Sequence, residues 1–188
     1  MPLSYAPCVS EPDTRTDERL VDLCNQGDDG AFEVLYLRYR DWVVRLAWRF
    51  TRNDADALDV LQETFSYVLG KLPGLRLTAR FTTFLFPVVK NLSIAARRKR
   101  DRALGEGPLP DCAVREPAAP GARDDLAAAL SVLSEEQRET LLLRFVDDMS
   151  QEEFAAALGI PVGTVKSRIH NAIEALRADP RACKYLAE

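Results

Sequence analysis

The sequence predicts an all-α protein in which two small helical domains are joined by a flexible linker. Apolar residues recur at three- and four-residue spacing through residues 17–100 and again through 124–178, which is the period of an amphipathic helix. Residues 101–123 between them are rich in proline and glycine, and this composition predicts a linker. No run of alternating β-branched residues indicates a strand.

The first two helices of the first domain are predicted from apolar spacing. Leu20 and Cys24 indicate a short helix that ends at Gly27. A longer helix follows, and its residues on one broad apolar face are Phe32, Leu35, Tyr36, Tyr39, Trp42, Val43, Leu46, Ala47 and Phe50.

Capping and breaking residues predict the limits of the next two helices. Asn53 is a suitable N-cap for the third helix, and Pro73-Gly74 should end it. The fourth helix should follow Thr82-Thr83, with one of these threonines as its cap, and should reach the basic residues 97–100. Pro87 removes one intrahelical hydrogen bond, so we expect a kink or a delayed start at residues 84–87.

Two capping boxes predict helix starts in the second domain. Ser134 with Gln137 and Ser150 with Glu153 fit the pattern in which the cap hydroxyl and a side chain three residues later satisfy each other's backbone donors. Gly159 suits the left-handed position at a helix end, and residues 160–163 should form a tight connection to a last helix. Two short helices joined in this way form a helix-turn-helix unit.

Composition excludes several classes of protein. The 188 residues have a formal net charge of −4, four scattered cysteines and one histidine, so neither a disulfide framework, a zinc site nor histidine-based catalysis is indicated. No apolar run approaches the ~20 residues of a membrane helix, and the polar N-terminus is unlike a secretory signal. We therefore expect a cytoplasmic protein without membrane insertion.

The last helix has a polar face opposite its apolar residues Val165, Ile169 and Ala172. Hydroxyl groups near a helix start can contact phosphates, and Lys, Arg and Asn can donate to base edges in the major groove. A solvated polar face is the alternative, but the capping box, the glycine turn and the basic residues together favour DNA binding. The residues of this face are Thr164, Ser167, Arg168 and Asn171, flanked by Lys166 and His170.

A second candidate surface is the most basic stretch of the chain, residues 90–102. Phe81, Phe84 and Phe86 lie just upstream, and basic groups beside aromatic rings suit single-stranded nucleic acid. Two alternatives remain, because cations are favoured at any helix C-terminus and these rings could instead belong to the core.

A third candidate surface lies on the third helix, on the side predicted to face away from Leu58, Leu61 and Phe65. We interpret it as a protein-binding surface, with ordinary solvation as the alternative. A small hydrolase that uses Asp56, Asp59 and Glu63 is a further alternative. It is disfavoured, because neither a histidine partner nor a glycine-rich loop accompanies these carboxylates. The members of the surface are Asp56, Asp59, Gln62, Glu63 and Ser66.

Several motifs of the chain together resemble the extracytoplasmic-function (ECF) sigma factors. SEEQRE and MSQEEFA, followed by GTVKSR at residues 163–168, resemble region 4 of that family. DVLQETF at residues 59–65 resembles region 2.2, and FTTFL at residues 81–85 with Lys90-Asn91 resembles regions 2.3 to 2.4. The resemblance covers residues 17–178 in the family's order.

The resemblance implies a sigma factor, without catalytic residues or a cofactor, that directs core RNA polymerase to promoters, melts the DNA and starts transcription. The implied partners are promoter DNA and the β′ clamp helices and β flap of core polymerase. An anti-sigma factor is a further partner that the resemblance allows. The resemblance implies that polymerase is bound by Asp59, Gln62 and Glu63. It implies that the −10 element is bound by Phe84, Lys90, Asn91, Arg97 and Arg98, and that the −35 element is bound by Thr164, Lys166, Ser167, Arg168 and Asn171.

One competing function explains part of the same pattern. A two-domain transcriptional regulator would account for the helix-turn-helix in residues 134–176, but it would leave the motifs at 59–65 and 81–91 unexplained. At several positions the chain also departs from the family pattern, and this leaves the promoter sequence open: Phe84 in place of tryptophan, Phe86-Pro87 in place of tyrosine-arginine, and Asn171 and Ile173 where arginine is frequent.

Overall fold

The protein is described by a computed structural model that covers residues 13–103 and 130–179. These residues form seven α-helices and no strand, which confirms the predicted all-α fold. None of the seven is long and apolar enough to cross a membrane. The helices are α1 (Asp17–Asn25), α2 (Asp29–Thr51), α3 (Asp54–Lys71), α4 (Phe81–Ala103), α5 (Glu135–Phe145), α6 (Gln151–Leu158) and α7 (Val162–Ala178).

The described helices fall into two compact units. The first contains α1, α2, α3, Phe81 and residues 88–96 of α4, and the second contains residues 82–87 and 97–103 of α4 with α5, α6 and α7. Most of the predicted linker 101–123 lies outside the described residues, but residues 101–103 form the last turn of α4. The domain limits 17–100 and 124–178 stay predictions.

Side-chain caps start the first three helices. Thr16, Asp28 and Asn53 each accept a hydrogen bond from the backbone N–H three residues later, at the starts of α1, α2 and α3 respectively. The predicted cap at Asn53 is therefore confirmed. Gly27 follows α1 with a φ of 89°, a conformation that glycine adopts without strain.

The helix-turn-helix of the second unit forms as predicted. Both capping boxes are present, with Ser134 and Gln137 at α5 and Ser150 and Glu153 at α6. Gly159 ends α6 in the left-handed conformation, at a φ of 65°. The connection is shorter than predicted, because α7 already begins at Val162.

The start of α4 differs from the prediction. The helix begins at Phe81 with Pro87 inside it, so the predicted delayed start is wrong. Thr82 and Thr83 are buried within the first turn, and neither of them caps the helix. Burial explains the outcome: Phe81, Leu85, Phe86 and Val89 are fully buried, and each contributes about 1.5–3 kcal/mol, which together exceeds the ~3 kcal/mol cost of an internal proline.

Aromatic packing sets the rotation of α3 about its own axis. Phe65 is buried and lies edge-to-face against Phe32 and Tyr36 of α2, with ring centroids 6.0 and 4.9 Å away. The buried side of α3 continues along the helix as Ala57, Val60, Leu61, Thr64 and Val68. The opposite side of the helix is therefore exposed to solvent.

The rotation of α7 is set by an apolar cluster with the start of the second unit. Ala172 is fully buried and packs with Leu133 and Leu141, and Ile173 and Leu176 cover the same cluster. Val165, two turns earlier, is also fully buried. The polar side of α7 is consequently the side that faces solvent.

Candidate functional site

The exposed side of α3 brings together three of the five residues predicted to form a protein-binding surface. Asp59, Gln62 and Glu63 are all exposed. Leu58 and Leu69, which are 51% and 50% exposed, lie on the same side of the helix. These five residues are named the α3 surface. The prediction that Leu58 belongs to the apolar core face is wrong, because the contact of Phe65 with α2 turns Leu58 outward.

The α3 surface has the composition of a protein interface. Two half-exposed leucines stand at either side of Gln62 along the helix, and the carboxylates of Asp59 and Glu63 lie next to them. Apolar groups at the centre of an interface supply burial, whereas charges at its rim select the partner and raise the association rate. The partner that suits this surface therefore presents apolar and basic side chains.

The residues predicted to contact single-stranded DNA on α4 differ in exposure. Asn91 and Arg98 are exposed, whereas Phe84 and Lys90 are half-buried. The Nζ of Lys90 lies 5.8 Å from the centroid of the Phe50 ring, in a cation–π contact. Arg97 lies 3.9 Å from a carboxylate oxygen of Asp101.

The three phenylalanines at the start of α4 do not all belong to the surface predicted to bind single-stranded DNA. Phe81 and Phe86 are fully buried, which makes them core residues. Phe84 is the member of this group that is only half-buried. Of the three, it is therefore the ring that can stack on a base.

The exposed face of α7 contains most of the predicted residues, but it is centred on other positions than the sequence pattern predicts. Lys166, Ser167, His170 and Asn171 are exposed, whereas Thr164 and Arg168 are half-buried at the flank. The Oγ of Ser167 donates to the carbonyl of Gly163 one turn earlier at 3.0 Å. His170, which the sequence pattern places only at the flank of this face, lies one helical turn after Lys166 and directly before Asn171.

Arg168 is held within the protein. One Nη of its guanidinium lies 2.8 Å from an Oε of Glu136 on α5, and the Arg168 side chain is only 25% exposed. This ion pair links α7 to the first turn of α5. Lys166, on the same helix, is exposed.

No grouping in the described ranges suits a metal ion. Within residues 13–103 and 130–179, no three His, Cys, Asp or Glu side chains come close enough together to bind one.

We expect Arg168→Ala to lower the free energy of unfolding of the protein, because it removes the ion pair with Glu136. A double-mutant cycle with Glu136→Ala should give a coupling energy of about 0.2–1 kcal/mol in urea denaturation, the usual range for a partly exposed pair. Lys166→Ala is the matched control on the same helix and should leave stability unchanged. A coupling energy of zero would show that the contact does not hold α7 against α5.

Comparison with known proteins assigns both halves of the chain to one family. Residues 35–103 match sigma-70 region 2, and residues 123–176 match sigma-70 region 4. The RNA polymerase sigma-H factor of Pseudomonas aeruginosa is 31% identical over 176 residues, which are 85% of this chain and 91% of that protein. The ECF RNA polymerase sigma-E factor of Salmonella typhimurium is 32% identical, over 86% of this chain and 92% of its own length.

A solved structure shows the same fold. The chain is similar to the sigma factor RpoE of Bartonella quintana, which was crystallised in complex with the anti-sigma factor NepR. The sequence identity is 27% and the TM-score is 0.61. The likeness covers 78% of this chain and 94% of that sigma factor.

Proposed function

The chain belongs to the sigma-70 family of transcription initiation factors, and on this premise we propose that its three surfaces divide polymerase docking from promoter binding. It is an ECF-type sigma factor, which binds core RNA polymerase and directs promoter recognition, DNA melting and initiation. Sigma factors have no enzymatic activity of their own. The observation that carries the assignment is the presence of region 2 and region 4 in one chain, in that order.

The α3 surface is proposed to dock on the β′ clamp helices of core polymerase. Asp59, Gln62 and Glu63 would face basic and polar groups of that coiled coil, and Leu58 and Leu69 would supply the buried apolar area. Support comes from the exposure of all five residues on one side of a helix whose other side is fixed in the core. A rigid surface of this kind loses little conformational entropy when it binds.

Charge reversal on the α3 surface should weaken polymerase binding. Asp59→Lys with Glu63→Lys is expected to lower the affinity for core polymerase by at least about tenfold, because like charges placed across an interface cost several kcal/mol. The measurement is competition against a labelled sigma factor, and circular dichroism checks that the helices remain folded.

A matched control reverses two exposed acids elsewhere in the first unit. Asp22→Lys with Glu33→Lys changes the net charge equally but lies on α1 and α2. This variant should bind core polymerase as the parent protein does. Equal affinities for the two double variants would remove the α3 surface from the polymerase interface.

We assign the −10 element to α4. The exposed Asn91 and Arg98 would contact the melted strand, with Lys90 and Arg97 adding positive charge and Phe84 offering a ring on which a base can stack. A positive groove with an aromatic side chain is the usual arrangement for single-stranded DNA. Within α4, Asp101 is the one acidic residue, so the helix carries a net positive charge.

We assign the −35 element to α7, which would enter the major groove as the second helix of the helix-turn-helix. Lys166 would contact phosphate, Thr164 and Ser167 would lie near the helix start, and Asn171 would pair with the edge of an adenine. Arg168 would lie beside the groove and contribute charge while it holds α7 to Glu136. The buried Val165 and Ala172 support this orientation.

Two substitutions on α7 should separate base reading from phosphate attraction. Asn171→Ala should relax the preference at one or two −35 positions by ~1–3 kcal/mol, since it removes a bidentate donor–acceptor pair. Lys166→Ala should lower activity about equally on all promoters and reduce the salt dependence of binding by about one phosphate contact. Transcription from a promoter library randomised at −35 measures both effects.

The same promoter library also shows the alternative outcome, in which Asn171 faces solvent and makes no contact with a base. In that case its alanine variant would select the same −35 sequences as the parent. Recognition would then depend on Thr164, Ser167 and the exposed His170.

Further partners are proposed for the second unit. Phe145 and Val146 are 70% and 60% exposed at the end of α5, and an apolar corner of this kind suits a protein contact such as the β flap. An anti-sigma factor is a further proposed partner, supported by the complex in which the similar sigma factor of Bartonella quintana was solved. The place of action is proposed to be the cytoplasm, where polymerase and promoters meet.

A further inference from the structure

The connection between α3 and α4, residues 72–80, is held at its start by hydrogen bonds to one side chain of α1. The Oδ1 of Asn25 accepts from the backbone N–H of Gly74 at 2.7 Å, and its Nδ2 donates to the carbonyl of Leu75 at 2.8 Å. Gly74 has a φ of 124°, which favours glycine, and Leu75 is buried. A single amide therefore satisfies two backbone groups in a segment that has no helical hydrogen bonds.

The end of the same connection is fastened through α2. Phe81 is fully buried and lies edge-to-face against Tyr39, with centroids 5.1 Å apart. The hydroxyl of Tyr39 donates to Asp17 in the first turn of α1, and Arg38 pairs with the same carboxylate at 2.6 Å. Burial and this hydrogen bond raise the pKa of Tyr39 above its usual range, so the donor stays protonated.

The residues between the two anchors are suited to nucleic acid. Residues 76–80 read RLTAR, with two arginines and no carboxylate, and four of the five residues are exposed. This segment leads directly into α4, which carries the proposed −10 contacts. The anchors at Asn25 and Phe81 lie at its two ends.

We infer that Asn25 is a positioning residue for −10 recognition, which acts by fixing the course of the connection that precedes α4. The inference rests on the proposed role of α4. If the connection is held in the conformation that binds DNA, every molecule is competent to bind. If the connection is mobile, the apparent affinity for DNA falls in proportion to the fraction of molecules that have the competent conformation. The amide of Asn25 thereby contributes to promoter opening without a contact to DNA.

The test compares Asn25→Leu, which has nearly the same volume and lacks both hydrogen bonds, with Asn25→Asp, which keeps only the acceptor for Gly74. Loss of each hydrogen bond should lower the yield of open complexes by a factor of about 2 to 12. The aspartate variant should also fall below the parent, because its second carboxylate oxygen faces the Leu75 carbonyl and has no proton to donate. Permanganate reactivity of promoter thymines, at saturating holoenzyme, measures opening. A library randomised at −10 measures selectivity, which we expect to broaden.

Three readouts separate positioning from a general loss of structure. Affinity for core polymerase and binding to a −35 duplex should remain at parental values in both variants. Asp22→Leu, an exposed position on the same helix, should behave as the parent throughout. Parental opening and −10 selectivity in Asn25→Leu, or a loss of opening that merely follows a loss of polymerase affinity, would overturn the inference. If the parent protein itself opens no promoter with core polymerase, the proposed function fails and the inference fails with it.

Discussion

The rotation of each helix about its own axis determines which side chains polymerase and DNA can reach. An α-helix turns by 100° per residue, so the residue that is buried at one position decides which neighbours face solvent. Phe65 fixes this rotation for α3 through its contacts with α2, and Ala172 fixes it for α7 through its contacts with Leu133 and Leu141. The proposed functional surfaces of both helices lie opposite these contacts.

Charge is distributed according to partner, although the chain as a whole is acidic. Acidic residues lie on the α3 surface, which we propose binds a protein, whereas basic residues lie on α4 and α7, which we propose bind DNA. The net charge of −4 therefore says little about binding, because phosphate responds to the local field. Arg97, Arg100 and Arg168 lie within 4 Å of carboxylates of the chain itself, whereas Arg98, Lys99 and Lys166 are exposed and better placed for phosphate.

Features that depend on neighbours in sequence could be predicted, and features that depend on distant residues could not. The cap at Asn53, both capping boxes and the glycine at the end of α6 each involve residues within one helical turn, so spacing was sufficient. The exposure of Leu58 depends on packing between α2 and α3. The contact of Asn25 with Leu75 joins residues 50 positions apart, and no local pattern indicates it.

Transcription in vitro with purified core polymerase, on a library of randomised promoters, tests the central claim most directly. Adding the chain should produce transcripts that core polymerase alone does not make, from templates sharing one −10 and one −35 element at a fixed spacing. Sequence-specific DNA binding by the chain without such transcripts would contradict the claim. It would indicate a regulator that uses the same helix-turn-helix without docking on polymerase.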